Sequence, residues 1–234
     1  MSGQSKSASD LFIVDNSDAD WKVRSYLADW CDLSKAIDIA TGRQLWQSVA
    51  DWDPGVPRVI CCGLSSRGVA VFGGKVFVGT IDAHLKALDA KTGKEIWKIK
   101  VAEWREGYSI TSAPTVANGV VMQGIAGGEY GIRGFIDGTD LNTGQGIWRT
   151  YTIPGAGEPG NETWPGDTWK TGGVSVWITG HYDPELNLTF WGTGNAGPWP
   201  ADAHTGDNKH ATSVVAIDPD TGEIKGSHQY HWND

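Results

Sequence analysis

A repeated template is the sequence feature that most constrains the fold. Three segments share the pattern Asp-x-x-Thr-Gly-x-x-x-Trp, beginning at Asp38, Asp89 and Asp140, and successive aspartates are 51 residues apart. A fourth copy begins at Asp218, 78 residues further on, and lacks the tryptophan. A period of about 50 residues is typical of architectures that repeat one small sheet. The sequence therefore predicts a repeat protein built from sheets.

Each copy of the template has the chemistry of a strand, a turn and a second strand. Apolar residues alternate around it, as at Val76, Val78, Leu85 and Leu88, which is typical of a half-buried strand. Asp and Thr side chains can bond the turn's own backbone, and Gly adopts a positive φ without strain. The tryptophan is expected near the start of the next strand, where its ring offers a broad surface to the adjacent sheet.

A single four-stranded sheet of this size cannot bury both of its faces, so it must stack on neighbours. Radial stacking gives a β-propeller; a linear β-solenoid is the alternative, although its periods are normally much shorter. We therefore predict an all-β fold, a β-propeller of four-stranded antiparallel blades, over residues 36–234. Residues 1–35 fit the repeat poorly and are predicted to form a disordered or aberrant leader.

Composition excludes several classes of protein. The 234 residues include 32 glycines and 13 tryptophans, which suits an all-β repeat protein, and the net charge of −9 disfavours nucleic acid as a partner. No apolar run approaches the roughly 18 residues of a transmembrane helix. The opening MSGQSKSASD has no apolar core, so no signal peptide is visible in this chain.

Two adjacent cysteines, Cys61 and Cys62, are the first candidates for a functional site. Neighbouring cysteines can pair only with a strained peptide geometry, and such strain clusters at functional sites. Two reduced thiols on a strand are an equally good interpretation of the residues alone. Cys31 is assigned no role. The cysteines lack metal-ligand spacing, which argues against a zinc site.

Two glycine-rich runs supply candidate ligands for a hard cation. Residues 127–134 carry Glu129, and residues 191–199 carry Asn195. Glycines let a backbone approach a ligand closely, and carboxylate and amide oxygens suit a cation such as Ca²⁺. The alternatives are a surface glutamate in a loop and an asparagine that serves as a turn residue with positive φ.

The motifs together resemble a known family. Cys61-Cys62, the following Arg67-Gly68-Val69-Ala70, the repeat ending Thr-Gly-Lys-Glu-Ile-Trp and the later Gly-Thr-Gly-Asn resemble the quinoprotein alcohol dehydrogenases. These are enzymes of the methanol and ethanol dehydrogenase type that use pyrroloquinoline quinone (PQQ). The resemblance covers roughly residues 36–234. It implies an eight-bladed propeller of which this chain supplies about four blades.

The resemblance also implies a cofactor site. The planar quinone would lie between a Cys61–Cys62 disulfide and the indole of Trp177, and Ca²⁺ or a lanthanide would bind beside it. Its carboxylates and the metal would be held by the remaining candidates, which are Arg67, Thr111 and Ser175 for the quinone and Glu129 and Asn195 for the metal. The alternatives are that Trp177 packs blades together and that the arginine and hydroxyl groups face solvent.

The function implied by the resemblance is that of an oxidoreductase. Primary alcohols would be oxidised to aldehydes with metal-bound PQQ as the electron acceptor, and a cytochrome c-type protein would take the electrons onward in the periplasm. The family's catalytic aspartate would fall about three positions beyond Asp234. We therefore assign no catalytic residue here and expect this chain to be inactive alone.

A non-catalytic scaffold or binding protein built from propeller repeats is the alternative function. Outer-membrane assembly scaffolds built from related repeats share the Asp-x-x-Thr-Gly-x-x-x-Trp template. They would have no reason to keep the cysteine pair, Glu129 and Asn195 together. No nucleophile elbow, phosphate-binding loop or dinucleotide fingerprint leads from a strand into a helix. The enzyme interpretation is therefore preferred.

Overall fold

The computed structural model describes residues 13–14, 24–29, 33–61, 64–200, 202 and 204–232, with side chains from Ser34 onward. Sixteen strands lie in these ranges and form four antiparallel four-stranded sheets in chain order. We call the sheets blades 1 to 4. The prediction of four-stranded antiparallel blades is confirmed.

Blades 1 and 2 comprise β1 (Ile13–Val14), β2 (Arg24–Asp29), β3 (Leu33–Asp38), β4 (Gln44–Val49), β5 (Ala70–Phe72), β6 (Lys75–Gly79), β7 (His84–Asp89) and β8 (Glu95–Lys100). Blades 3 and 4 comprise β9 (Thr115–Ala117), β10 (Val120–Gly124), β11 (Phe135–Asp140), β12 (Gly146–Tyr151), β13 (His181–Asp183), β14 (Leu188–Gly192), β15 (Ser213–Ile217) and β16 (Ile224–Gln229). The helices within the described ranges are short 3₁₀ turns, at Val56–Arg58, Trp104–Glu106, Gly128–Tyr130, Asn161–Thr163 and Thr168–Lys170.

The blades are arranged around a common inner edge. The first strand of blade 3, β9, contacts the first strands of both neighbouring blades, β5 and β13. Successive strands within a blade are paired antiparallel. Strand direction therefore alternates, and the segments that lead into the first strands lie at the same end of the blades as the connections between second and third strands. The template turns connect third and fourth strands and lie at the opposite end. The chain forms part of a β-propeller, as predicted.

The template aspartate organises its own turn. In blade 2, Asp89 Oδ1 accepts hydrogen bonds from the backbone N–H groups of Lys91 and Thr92 and from the Thr92 hydroxyl. These bonds hold the pKa of Asp89 below its ordinary value, the Thr92 hydroxyl being the main cause. Gly93 then donates to the Asp89 carbonyl with φ +71°. The same arrangement recurs at Asp38 and Asp140.

The template tryptophans join each blade to the next. Each indole N–H donates to the carbonyl of the residue directly after the template aspartate of the next blade: Trp46 to Ala90 (2.9 Å), Trp97 to Leu141 (3.3 Å) and Trp148 to Pro219 (3.0 Å). The ring also lies under the turn glycine of that next blade. The predicted contact between the tryptophan and the adjacent sheet is therefore present at all three copies.

Burial of the middle strands differs from the prediction. Val76, Val78, Leu85 and Leu88 were expected on half-buried strands, yet almost every residue of β6 and β7 is buried, on both faces. The reason is that blade 2 is covered by a neighbouring blade on each side. The alternation of apolar residues in these two strands therefore does not mean that one face of the sheet is exposed to solvent.

Part of the predicted leader belongs to blade 1, since β1, β2 and the beginning of β3 fall within residues 1–35 and pair with one another. Most other residues of that segment lie outside the described ranges, and its assignment as a separate leader stays a prediction. In the described ranges, no helix is long and apolar enough to cross a membrane.

Candidate cofactor site

Three segments that enter the first strands of blades 2, 3 and 4 are hydrogen-bonded to one another. The Arg67 backbone N–H donates to the Thr111 carbonyl (3.0 Å), and the guanidinium donates to the same oxygen (3.2 Å). The Thr111 hydroxyl in turn donates to the Trp177 carbonyl (3.0 Å). Side chains that are separated by 44 or by 66 positions in the sequence are thus held side by side at one end of the blades.

Arg67 and Trp177 form a cation–π pair at this end. The guanidinium carbon lies 4.9 Å from the centroid of the indole, which is 44% exposed. Burial lowers the pKa of the Arg67 guanidinium, but the group stays charged at neutral pH. A fixed cation and an accessible aromatic face therefore lie next to each other, and such a pair suits a flat anionic ligand.

The glycines before Glu129 allow its loop to reach the same place. Gly127 has φ +118°, and a side chain there would collide with the Gly107 carbonyl. A Cβ on Gly128 would lie 2.9 Å from the hydroxyl of the buried Ser175. The Glu129 side chain is exposed and makes no ion pair or hydrogen bond with any residue that the structure describes. Its carboxylate is available to an external ligand.

The Asn195 loop runs beside the segment that carries Ser175 and Trp177. Val174 donates to the Asn195 carbonyl (3.1 Å), and Gly194 donates to the Ser175 carbonyl (2.8 Å). Ser175 is therefore enclosed between the Glu129 loop and the Asn195 loop. Asn195 itself is exposed.

One small cleft collects most of the predicted residues. Its volume is about 50 Å³. We call it the cofactor cleft and define it by its lining residues, Cys61, Ser65, Arg67, Ser109, Thr111, Ala126, Gly127, Glu129, Ser175 and Trp177. Asn195 is not among them, although its neighbour Gly194 packs on Ser175. Cys62 lies outside the described residues, so its pairing with Cys61 stays a prediction.

The donor set at the cleft fits a hard cation that is shared with a ligand. Among the described residues, no three His, Cys, Asp or Glu side chains cluster as a self-sufficient metal site. Glu129 and Asn195 offer one carboxylate and one amide oxygen, which are ligands that Ca²⁺ accepts but too few to complete its shell. Oxygens of a bound cofactor would have to supply the rest.

Two features of this region were missed by sequence reasoning. The hydroxyls of Ser65 and Ser109 line the cleft; the signal for Ser109 was its place in the same Ser-Ile-Thr run as Thr111. Glu129 also borders a second cavity of about 360 Å³ beside Pro198 and Trp199. Both features depend on loop positions that no periodic pattern encodes.

The long connection between blades 3 and 4 packs against the segment that leads into the cofactor cleft. Trp164, 2% exposed, lies against Gly172 and packs with Ile153 and Val174. Its indole N–H donates to the Lys209 carbonyl (3.2 Å). None of residues 161–169 lines the cofactor cleft. The loop therefore reaches the cleft only through the segment that begins at Gly172.

An arc of propeller blades with this cleft at its inner end defines a quinoprotein dehydrogenase domain. The chain belongs to the PQQ family, described as the glucose/ethanol/alcohol dehydrogenase beta-propeller domain, which matches residues 31–234.

Among its relatives is the quinoprotein alcohol dehydrogenase PedH of Pseudomonas putida, 43% identical over 81% of this chain and 34% of the relative. The lanthanide-dependent methanol dehydrogenase of Methylacidiphilum fumariolicum is 39% identical over 79% of this chain and 33% of its own length. The crystal structure of the quinohemoprotein alcohol dehydrogenase from Comamonas testosteroni superposes with a TM-score of 0.84 at 36% identity, covering 91% of this chain and 34% of that one. The chain thus spans about a third of the length of the relatives it matches.

Proposed function

We propose that this chain provides the PQQ- and metal-binding part of an enzyme that oxidises primary alcohols to aldehydes. The observation that carries the proposal is the convergence of Cys61, Arg67, Thr111, Glu129, Ser175 and Trp177 on one cleft. The sequence predicts all six as cofactor or metal ligands. A scaffold with no cofactor would have no need for that convergence.

The side chains divide the binding task by chemistry. Trp177 presents an exposed indole as a stacking surface for one face of the planar quinone, and the Cys61–Cys62 pair is proposed for the other face. Arg67, held by the Thr111 carbonyl, is positioned to pair with a carboxylate of the ligand. The Ser175 hydroxyl is proposed to donate to a further carboxylate oxygen, and the Thr111 hydroxyl would do the same by turning from the Trp177 carbonyl to the ligand. Together they would fix the orientation of the ring.

Glu129 and Asn195 are the proposed metal ligands, with Ca²⁺ or a lanthanide as the cation. When bound, PQQ and its metal supply the two-electron acceptor for alcohol oxidation. Glu129 would hold the cation with a carboxylate that has no partner among the described side chains. Because the family's proton-accepting aspartate is not among these residues, we propose no turnover by the 234 residues alone.

Partners and location follow the same proposal. A small primary alcohol is the proposed substrate, a cytochrome c-type protein the proposed electron acceptor, and the periplasm the proposed compartment. The support is family membership, since the chain belongs to a family of PQQ dehydrogenases.

A titration of PQQ against tryptophan fluorescence, with and without Ca²⁺ or La³⁺, tests the proposal. We expect saturable quenching that the cation strengthens, because Trp177 would stack on the ligand. Glu129→Gln should abolish most of the cation's effect, whereas Glu185→Gln, at an exposed glutamate outside the cleft, should leave it unchanged. Absence of quenching in the unaltered protein would contradict the proposal and favour the scaffold alternative.

A further inference from the structure

A further cavity, separate from the cofactor cleft and from the cavity beside Trp199, lies between blades 3 and 4. It has a volume of about 570 Å³ and is bounded by β12 on one side and β16 on the other. We call it the inter-blade groove; its charged and aromatic lining residues are Arg149, Tyr151, Glu158, Lys209, His210, Glu223 and Lys225. It shares no lining residue with the cofactor cleft. Its volume falls in the usual range for sites that bind small molecules.

His210 presents a hydrogen-bond acceptor at the groove. The residue is 7% exposed, and its Nδ1 lies 2.9 Å from the Thr152 carbonyl oxygen. A carbonyl can only accept, so Nδ1 must carry the hydrogen. Burial also lowers the pKa of His210, which keeps the ring neutral at pH 7. Nε2 therefore carries a lone pair, and none of the described residues donates a hydrogen bond to it.

Lys209 presents a cation beside that acceptor; the nearby Glu162 carboxylate has its pKa lowered, mainly by backbone N–H groups and in smaller part by the Lys209 charge. Its aliphatic stem is packed so tightly on Gly160 that a side chain at this glycine would collide with it. The other cations of the groove are neutralised, Arg149 by Asp137 and Lys225 by Glu223. The Lys209 ammonium makes no ion pair with any carboxylate in the described part of the chain.

The backbone at His210 is held in a conformation that residues with a side chain rarely adopt. His210 has φ +71°, and the nearby Asn208 and Thr212 have φ +47° and +43°. Buried Asn208 fixes the segment by donating to the Thr163 and Thr205 carbonyls. Strain of this kind is retained when surrounding contacts enforce it. The positions of Lys209 and His210 at the groove are therefore built into the fold.

We propose that the inter-blade groove binds a small organic anion that carries a hydroxyl group. Its anionic group would pair with the Lys209 ammonium, and its hydroxyl would donate to Nε2 of His210. A ligand with a hydroxyl donor and an anionic group would complement both side chains at once. A transition metal is disfavoured, since no three His, Cys, Asp or Glu side chains cluster within the described ranges.

Malate and succinate are the matched probes, because they carry the same two carboxylates and differ in one hydroxyl. Calorimetric titration of the protein with each should show malate binding more tightly by about threefold to tenfold, the worth of one ordinary hydrogen bond. Equal affinities in the unaltered protein would overturn the role of His210, and this comparison requires no variant to fold. Absence of saturable binding of both would overturn the proposal altogether.

Two variants assign the binding to the two side chains. His210→Asn keeps a donor near Thr152 and tolerates the positive φ, but it removes the Nε2 acceptor; the affinity ratio of malate to succinate should fall to about one. Lys209→Met keeps the packed stem and should weaken both ligands by about tenfold or more. Lys94→Met removes an exposed lysine from a template turn and should change neither. Unchanged binding in Lys209→Met would refute the site.

PQQ binding is measured separately in the same variants. Because the groove and the cofactor cleft share no lining residue, His210→Asn and Lys209→Met should bind PQQ as the unaltered protein does. Failure of the groove proposal is therefore distinguishable from failure of the proposed dehydrogenase function.

Discussion

At the scale of single residues, the guanidinium of Arg67 and the indole of Trp177 determine which kind of ligand suits the cofactor cleft. The Arg67 backbone N–H and guanidinium each donate to the Thr111 carbonyl, and the guanidinium bond holds the group over Trp177. Such preorganisation lowers the entropy cost of binding a rigid, flat anion. The planar guanidinium is essential to this arrangement, because an ammonium cannot both stack and donate as a fork.

Replacement of Arg67 by lysine tests that argument. Arg67→Lys keeps the charge but loses the planar group, and we expect the affinity for PQQ to fall by about tenfold, close to the worth of a hydrogen bond to a charged group. Fluorescence titration measures the effect. Arg43→Lys, at an exposed arginine in the blade 1 template turn, is the matched control and should bind as before. Equal affinities of the two variants would show that charge alone matters.

His210 should make stability sensitive to pH. Burial lowers its pKa below the ordinary 6.5, so the unfolded chain binds the proton more readily than the folded one. Stability is then fully present above pH 6.5 and is lost as pH falls from there towards the folded-state pKa. Urea unfolding at pH 7.5 and 5.5 should show a larger loss in the unaltered protein than in His210→Asn. Identical losses would contradict the burial of a neutral ring.

At the scale of elements, the template turn and the tryptophan act as one unit across a blade boundary. In blades 2 to 4 the turn glycine lies over the tryptophan of the preceding blade, and the indole N–H donates to the carbonyl of the residue after the template aspartate. A Cβ on Gly93 would lie 2.6 Å from the Trp46 ring. The glycine therefore serves two purposes, a left-handed backbone and a close approach between blades.

Two alanine substitutions separate these purposes. Gly42→Ala meets only the backbone strain, because φ is +68° and nothing lies within 4 Å of a Cβ; it should cost about 1–2 kcal/mol of unfolding free energy. Gly93→Ala has almost the same φ, +71°, and adds the clash with Trp46, for about 1–3 kcal/mol more. Urea denaturation gives both values. Equal costs would show that the tryptophan yields without penalty.

At the scale of the whole molecule, the cofactor cleft is an assembly of three blades. Arg67 enters blade 2, Thr111 enters blade 3 and Trp177 enters blade 4, and hydrogen bonds connect each to the next. Glu129 approaches from the connection between the second and third strands of blade 3. A ligand bound there would stabilise all three blades at one end of the propeller.

Hydrogen exchange tests that view of the molecule. Adding PQQ and Ca²⁺ should slow amide exchange together in residues 65–67, 109–111, 127–129 and 174–177. The template turns at residues 39–42 and 90–93 lie at the opposite end of the blades and should exchange as before. Protection confined to a single blade would contradict a cleft shared by three.

The sequence by itself determined the blades and the candidate residues. The spacing of Asp38, Asp89 and Asp140 predicts repeated sheets, because turn chemistry is local and is written in the residues that form the turn. The resemblance, carried by short motifs, indicated the residues expected around one cofactor. Both inferences depend on neighbours in sequence, and both were therefore accessible without coordinates.

Only the tertiary structure decided which groups meet. That Arg67 stacks on Trp177, that β6 and β7 are covered on both faces, and that Lys209 and His210 share a groove all depend on how one blade lies against the next. Contacts between residues tens of positions apart are set by packing across blade boundaries, where close-packed side chains admit few arrangements. No local pattern in the chain encodes those arrangements.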